Sequence, residues 1–245
     1  MYEELASVYD LFTDDYDYKK WSDYYLKLVS AEGKSLRYLC ECGCGTGSLT
    51  VYLAGKVPKM VASDLSEEML RAAQVKARKA GVQVPFVCQD MRALELPRKC
   101  DAVIACCDAV NYLLTEKDVK QFFTSAFENL KSGGRLAFDI SSKYKLLSMK
   151  DGFFGEERDT AAYLWQNSFD EENQTVTMDI TFFVEAENGL YRKFSELHTQ
   201  RAHDWEEITQ WLSDCGFENI NVYGGMTFDA PKDDDIRLHF VAVKP

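Results

Sequence analysis

Apolar and polar positions along the first 140 residues follow the pattern of a fold built from alternating strands and helices. Five short apolar runs have the length of buried strands: residues 36–41, 59–64, 84–90, 100–107 and 134–140. Helical segments begin at Ser66 and at Thr115, where Asp118 completes a capping pattern, and the second is expected to extend to residue 131. Short apolar strands separated by helices predict right-handed strand–helix–strand units and a buried parallel sheet.

The pattern changes between residues 160 and 203, where apolar and polar positions alternate over long stretches. Asn188-Gly189 and the segment 169–174 are typical of tight turns, so about three antiparallel strands are expected here. A helical pattern resumes at Asp204, with Glu207 as its expected capping partner, and two last strands are expected near 218–223 and 236–243. The middle block therefore reads as an insertion into the preceding fold. Residues 2–31 are expected to form two helices.

Composition and charge narrow the class of protein. The chain of 245 residues is 46% hydrophobic and 28% charged, as in ordinary globular proteins. Its N-terminus lacks the basic-then-apolar pattern of a signal peptide, and the longest apolar run is too short to span a bilayer, so a cytoplasmic protein without a membrane partner is expected. The net charge of −12 and the scarcity of basic clusters argue against nucleic acid as a partner.

Three of the eight cysteines alternate in the stretch LCECGCGTGSL, at Cys40, Cys42 and Cys44. Zinc sites favour two cysteines separated by two to four residues, usually with a second such pair, and that arrangement does not occur here. Cys106 and Cys107 are adjacent and would point to opposite faces of a strand. We therefore expect no metal, and interpret the cysteines as small buried residues.

Polar and glycine residues mark the ends of the first three predicted strands, where ligands of such sheets bind. Glycines 43, 45 and 47 permit a tight turn, but Ser48 stands where a dinucleotide fingerprint has its last glycine. Glu41 would repel a pyrophosphate and attract an ammonium group. Asp64 and Asp90 end the next two strands, where carboxylates can accept hydrogen bonds from a ribose and from an adenine amino group.

Together these residues identify a family resemblance. The motifs E-x-G-x-G-x-G (41–47), VASDLSEEML (61–70), QDM (89–91) and CDAVNYL (107–113) resemble those of class I S-adenosylmethionine-dependent methyltransferases. The resemblance implies an α/β fold with a Rossmann-like, doubly wound, mostly parallel seven-stranded sheet. With the pattern along the chain, this divides the protein into a helical cap (1–35), a core (36–145 and 204–245) and an antiparallel β insertion (146–203), and the insertion and the N-terminal helices are expected to cover the acceptor side.

The resemblance also implies a set of cofactor contacts. Glu41 would lie near the methionine amino group, the glycine loop along the methionine moiety, Asp64 at the ribose and Asp90 at the adenine. Tyr18 and Trp21 would cover the pocket. The full set of expected S-adenosylmethionine-binding residues is Tyr18, Trp21, Glu41, Gly43, Cys44, Gly45, Gly47, Asp64, Ser66, Met69, Asp90, Met91 and Cys106.

Methyl transfer from a sulfonium needs alignment of the nucleophile, and a base only when the acceptor carries a proton to be removed. The expected catalytic residues are Asp108 and Asn111, with Tyr112 and Asp139 as further candidates. His203 could overhang the acceptor pocket, although structural roles are favoured for the histidines. The family's Asn/Asp-Pro-Pro-aromatic motif is absent, so a small-molecule acceptor is expected rather than a nucleic acid.

Other functions compete with this interpretation. A non-catalytic S-adenosylmethionine-binding sensor or partner-binding protein is compatible with the lack of an evident base. A nicotinamide oxidoreductase is disfavoured by the displaced glycine and by Glu41. Methylation of RNA or protein stays open as a variant of the first function.

Overall fold

The computed structural model describes residues 5–13, 16–30, 33 and 35–245. Its strands are β1 Leu39–Cys42, β2 Met60–Asp64, β3 Phe86–Cys88, β4 Cys100–Ala105, β5 Leu130–Ser141, β6 Phe153–Arg158, β7 Ala161–Asp170, β8 Thr175–Glu185, β9 Tyr191–Arg201, β10 Glu218–Gly224 and β11 Arg237–Val243. Its α-helices are α1 Leu5–Tyr9, α2 Tyr18–Val29, α3 Ser48–Ala54, α4 Glu67–Lys79, α5 Glu116–Asn129, α6 Lys143–Ser148 and α7 Trp205–Asp214. Short 3₁₀ helices span Asp10–Phe12, Met91–Ala93, Ala109–Tyr112 and Glu187–Gly189.

A seven-stranded sheet in the order β3-β2-β1-β4-β5-β11-β10 forms the centre of the molecule. The strands from β3 to β5 are parallel, and β11 lies antiparallel to both β5 and β10. A separate four-stranded antiparallel sheet has the order β6-β7-β8-β9. The predicted α/β fold with an inserted antiparallel sheet is thus confirmed. From β1 the chain builds outwards to β2 and β3 and then crosses to β4 on the other side of β1. This reversal of the strand order between β1 and β4 places a crevice at their carboxyl ends.

Helices cover both faces of the large sheet. On one face α5 and α7 pack on a cluster that includes the stacked rings of Phe138 and Phe240, whose centroids are 4.8 Å apart. On the other face α2 and α3 pack through Tyr25 and Leu53, which are fully buried. Burial of such apolar side chains, each contributing roughly 1.5–3 kcal/mol, fixes the three-layer arrangement.

Two of the three predicted helix caps are present. Ser66 and Thr115 accept hydrogen bonds from the backbone N–H groups of Met69 and Asp118 and so begin α4 and α5. The third prediction was wrong: Asp204 precedes α7 without a side-chain cap, because its carboxylate binds the Lys143 ammonium at 3.0 Å.

Two element boundaries also differ from the sequence predictions. Helix α5 ends at Asn129, and β5 begins at Leu130 rather than at residue 134, since residues 130–133 extend the strand before an irregularity in its pairing with β4. The three antiparallel strands expected between residues 160 and 203 are present as β7, β8 and β9, and β6 precedes them as a fourth strand of the insertion that was not predicted. The additional strand β6 pairs with β7 although most of its side chains are exposed, so it lacks the alternation by which strands are recognised.

The N-terminal segment is packed between the insertion and the core. The ring of Phe12 lies 4.9 Å from that of Tyr163 and 6.0 Å from that of Phe182, and Val8 and Met69 belong to the same apolar cluster. The insertion therefore contributes to covering the side of the sheet at which the acidic strand ends lie. Within the part of the chain that is described, no helix is long and apolar enough to cross a membrane.

Candidate functional site

A cavity of about 430 Å³ lies at the carboxyl ends of β1 to β4. Eleven of the thirteen residues expected to bind the cofactor line it: Tyr18, Glu41, Gly43, Cys44, Gly45, Asp64, Ser66, Met69, Asp90, Met91 and Cys106. Asp108 and Tyr112 line it as well. The structure therefore brings together side chains that lie as far apart as residues 18 and 112 in the sequence.

Glu41 is a buried carboxylate in β1, an interior strand of the sheet. Its residue pairs with Ala62 of β2 and Ile104 of β4, and only 2% of its surface is exposed. Burial raises its pKa from 4.5 to about 7; a hydrogen bond from the Thr50 hydroxyl, at 2.7 Å, partly opposes this, and the charge of Asp64 adds to it. A buried acid of this kind is suited to pairing with a cation.

Asp64 ties the glycine loop to the start of α4. One of its carboxylate oxygens accepts a hydrogen bond from the backbone N–H of Gly45 at 2.8 Å, and the other accepts one from Ser66 at 2.9 Å. These contacts fix the carboxylate at the cavity wall, where it retains lone pairs for further donors.

Gly47, which was expected to bind the cofactor, does not line the cavity. It has φ +76°, which a glycine adopts without strain, and begins α3. A Cβ built on it would lie 2.8 Å from the Cβ of Ala73 in α4. This glycine therefore permits the close approach of two helices beside the site.

Replacing Gly47 with alanine should destabilise the fold by about 2–4 kcal/mol, through left-handed backbone strain together with overpacking against α4. Urea denaturation measures this change. Gly81→Ala is the matched control: Gly81 has φ +70° and nothing within 4 Å of its Cβ position, so only the backbone cost of about 1–2 kcal/mol applies. Equal losses in the two variants would contradict the packing role of Gly47.

Asp90 follows β3, the edge strand of the large sheet, and its carboxylate forms hydrogen bonds with Arg92. Its carboxylate accepts hydrogen bonds from the backbone N–H of Arg92 at 2.8 Å and from its guanidinium at 2.6 Å. These bonds hold the pKa of Asp90 below its ordinary value, although partial burial opposes them. The carboxylate is therefore ionised, and Met91 beside it supplies apolar cavity surface.

The two expected catalytic residues have different environments. Asp108 lines the cavity, but one of its oxygens accepts hydrogen bonds from Ser141 at 2.8 Å and from Arg237 at 3.1 Å. Asn111 is fully buried, is absent from the cavity wall and is satisfied by the backbones of Ser141 and Arg201. The amide of Asn111 connects β5 and β9 to the segment after β4, and its expected contact with the reacting groups stays a prediction.

Asp139 and Trp21 also lie away from the cavity wall. Asp139 is fully buried and accepts hydrogen bonds from Tyr25, from two backbone N–H groups and from Arg237. Burial pushes its pKa upwards, but Arg237 and these donors lower it below the ordinary value. Trp21 packs under the Arg237 guanidinium, 5.2 Å from its ring centroid, and beside Tyr25. Trp21, which was expected to cover the pocket, therefore lies in the apolar core and not on the cavity wall.

The structure adds residues that the sequence did not single out. Tyr9, Thr46, Ser48 and His198 line the cavity. The hydroxyls of Thr46 and Ser48 share Asp10 and Lys76 as partners, so the N-terminal segment is joined to the glycine loop. The only signal in the sequence was the position of Thr46 and Ser48 within the loop, since their contacts with Asp10 and Lys76 span 28 to 38 residues.

Of His198 and His203, only His198 lines the cavity. His203 is 1% exposed, lies against Trp211 with the ring centroids 6.1 Å apart, and does not line the cavity. His198 lines it, because residues 196, 198 and 200 form the buried face of β9. His203 therefore packs in the core, as the structural role favoured for the histidines implies, whereas His198 of β9 lies on the cavity wall.

Five of the eight cysteines are buried, Cys107 and Cys215 are partly buried, and Cys88 is exposed, contrary to the expectation that all are buried. Cys44, Cys106 and Cys107 line the cavity, whereas Cys40 and Cys42 are fully buried in β1 with their sulfurs 3.9 Å apart. Among the described residues, no group of three or more histidine, cysteine or acidic side chains is placed to hold a metal ion.

Comparison with known proteins places this geometry in a family. A family model described as a methyltransferase domain matches residues 39–134. YqeM of Bacillus subtilis (strain 168), whose name is "Putative methyltransferase", is 35% identical over 100% of this chain and 97% of its own. A similarly named protein of Geobacillus sp. (strain WCH70) is 34% identical over 99% of both chains.

Solved structures agree with the sequence relatives. The crystal structure of an S-adenosylmethionine-dependent methyltransferase from Clostridium acetobutylicum has a TM-score of 0.89 and 33% identity, covering 99% of this chain and 98% of that one. DesVI of Streptomyces venezuelae, at 22% identity, shares the fold with a TM-score of 0.82 over 98% of both chains. With relatives this similar along its whole length, and with the acidic strand ends gathered around one cavity, the chain belongs to the S-adenosylmethionine-dependent methyltransferases.

Proposed function

We propose that this protein transfers the methyl group of S-adenosylmethionine to a small acceptor that enters the cavity beside Asp108, Tyr112 and His198. The observation that supports this most is the continuity of the cavity, which joins the acidic ends of β1 to β3 to a polar wall built by the segment after β4 and by β9. One cavity can therefore hold both a nucleoside-containing donor and an acceptor.

The chain's own residues fit the methyl donor. Glu41 would pair with its ammonium group, Asp64 would accept hydrogen bonds from its ribose, and Asp90 with Met91 would hold its adenine. When bound, S-adenosylmethionine supplies an electrophilic methyl group on a sulfonium. The protein's part is then to fix the acceptor in line with that methyl group, and such positioning can lower a barrier by up to ~7–11 kcal/mol.

The acceptor is proposed to be small because the site is narrow and covered. A volume of 430 Å³ lies within the usual range for small-molecule sites, and the donor itself would occupy much of it. Tyr9 of α1 and His198 of the insertion stand on its wall. The net charge of −12 also disfavours a nucleic-acid acceptor.

The test begins with calorimetric titration of the purified protein with S-adenosylmethionine, S-adenosylhomocysteine and NAD. Micromolar binding of the two sulfur compounds without NAD binding is expected. A panel of small phenols, carboxylic acids and amines is then screened with methyl-labelled donor for product formation. Binding without turnover on any acceptor would support a sensor role instead, and NAD binding alone would overturn the proposal.

Cofactor affinity should depend on pH through Glu41. Because burial raises the pKa of Glu41 to about 7, the free protein holds this group neutral at lower pH, whereas pairing with an ammonium requires the carboxylate. The affinity for S-adenosylhomocysteine should therefore fall by about tenfold per pH unit below about pH 7 and level off above it. Calorimetry between pH 5.5 and 7.5 measures this dependence, and the curve should flatten in Glu41→Gln. A flat curve in the unmodified protein would contradict the assignment.

A further inference from the structure

The insertion contributes His198 to the cavity wall, where this residue meets Tyr112. The imidazole Nδ1 lies 3.2 Å from the phenolic oxygen, and the two rings stand edge to face with centroids 6.0 Å apart. Both residues line the cavity, so the pair faces the space in which the acceptor is proposed to bind.

Contacts around Tyr112 and His198 fix the relative positions of these two residues. Tyr112 ends the 3₁₀ helix after β4, and His198 lies on the buried face of β9. The side-chain amide of Asn111 donates to the Arg201 carbonyl at 2.9 Å, and the Arg201 guanidinium donates to the Leu114 carbonyl at 3.0 Å. These two bonds join the segment after β4 to the end of β9. Because they involve residues on both sides of Tyr112, they fix the spacing between Tyr112 and His198.

Asp108, on the same cavity wall, is already engaged by neighbouring side chains. The carboxylate of Asp108 accepts hydrogen bonds from Ser141, Arg237 and Gln200, and its charge is offset by Arg237. Glu196 lies two residues from His198 on the same buried face of β9. Burial is the cause that lowers the pKa of His198, so its imidazole is neutral near pH 7 and can accept a proton.

We propose that Tyr112 and His198 form the proton-accepting pair of the acceptor site, and that the acceptor's attacking atom carries a proton, as a hydroxyl or a protonated amine does. In the reaction, the Tyr112 oxygen takes the acceptor's proton while its own proton passes to Nδ1 of His198. The lone pair freed on the acceptor forms the bond to the methyl carbon, and the carbon–sulfur electron pair stays on sulfur. The sulfonium's positive charge thus ends on the imidazolium, which releases the proton to solvent.

This inference rests on the proposed function, but its first test does not require a known acceptor. The sequence has three histidines, so ¹⁵N-histidine NMR of the S-adenosylhomocysteine complex can be assigned with single variants. At pH 7.5 we expect a neutral His198 whose Nδ1 carries no proton, and whose Nδ1 resonance moves in Tyr112→Phe. A protonated Nδ1, or an unchanged resonance in that variant, would overturn the proposal whether or not methyl transfer is observed.

The second test uses the acceptor with the highest turnover in the panel. Tyr112→Phe and His198→Asn should each lower kcat by at least 30-fold, with KM and S-adenosylhomocysteine affinity within threefold, and should remove the acidic limb of the kcat–pH profile. Tyr144→Phe is the matched control, since Tyr144 is 51% exposed and outside the cavity wall. Raised KM with unchanged kcat would show a binding role only and overturn proton transfer. Failure of the whole panel would count against the proposed function, while the NMR result would still decide the pair.

Discussion

Replacing Glu41 with glutamine should weaken the binding of S-adenosylmethionine at pH 7.5 by about a hundredfold or more. The substitution removes the carboxylate that is proposed to pair with the ammonium group of S-adenosylmethionine. Removing one partner of a buried ion pair typically costs 3–5 kcal/mol, and each 1.4 kcal/mol is a factor of ten in affinity. The amide has nearly the same shape and can still accept the hydrogen bond that Thr50 donates to Glu41. Calorimetry with S-adenosylmethionine and S-adenosylhomocysteine measures the loss, and an affinity within threefold of the unmodified protein would contradict the role of Glu41.

The same variant should be more stable than the unmodified protein when no ligand is bound. The folded-state pKa of about 7 lies above the ordinary value of 4.5, so the folded protein holds the extra proton and its stability falls as the pH rises from 4.5 to 7. A glutamine never ionises and avoids this cost, which at pH 8 is on the order of 2–3 kcal/mol.

Urea denaturation at pH 5 and pH 8 separates this effect from general damage. The difference between Glu41→Gln and the unmodified protein should be larger at pH 8. Glu67→Gln is a matched control, because the Glu67 side chain is 66% exposed and pairs only with Arg71 in the described contacts. Loss of binding together with loss of stability at both pH values would indicate misfolding rather than removal of a cation partner.

Replacing Asp64 with alanine should weaken cofactor binding by about 1–3 kcal/mol, or roughly 5- to 150-fold. The variant loses the proposed ribose acceptor and also the bonds that Asp64 accepts from the backbones of Gly45 and Ser66. The glycine loop should then lose part of its fixed geometry, so the thermal midpoint should fall as well.

Calorimetry with S-adenosylhomocysteine and thermal unfolding measure these two changes for Asp64→Ala. Asp23→Ala serves as the control, since Asp23 is half exposed and bonds the Lys56 ammonium at a distance from the cavity wall. An unchanged affinity in Asp64→Ala would remove Asp64 from the ribose site, even if the thermal midpoint falls.

The sequence by itself determined that three acidic residues lie together at the carboxyl edge of the parallel strands. Apolar runs 36–41, 59–64 and 84–90 have the length of buried strands, and parallel strands present their carboxyl ends at one edge of a sheet. Glu41, Asp64 and Asp90 end or follow those strands, and all three line the cavity. This part of the site was predictable because strand period and strand direction together fix the position of a residue that ends a strand.

For other side chains, only the tertiary structure determined whether they lie in the core or on the cavity wall. Trp21 and Asn111 resembled site residues in the sequence, but Trp21 packs against Arg237, which is 216 residues away, and Asn111 bonds the backbone of Arg201. His198 resembled an ordinary strand residue and lies on the cavity wall. Strand β6 went unpredicted because its partner β7, rather than its own apolar pattern, stabilises it.

The physical reason is the range of the interactions involved. Helix caps, turns and the alternation of a strand depend on residues within a few positions, so local sequence specifies them. The face that a helix or strand presents to a cavity depends on burial and hydrogen bonds with residues far along the chain. In this protein the sequence specified the sheet and its acidic edge, whereas packing of the insertion against the core selected the residues that complete the cavity wall.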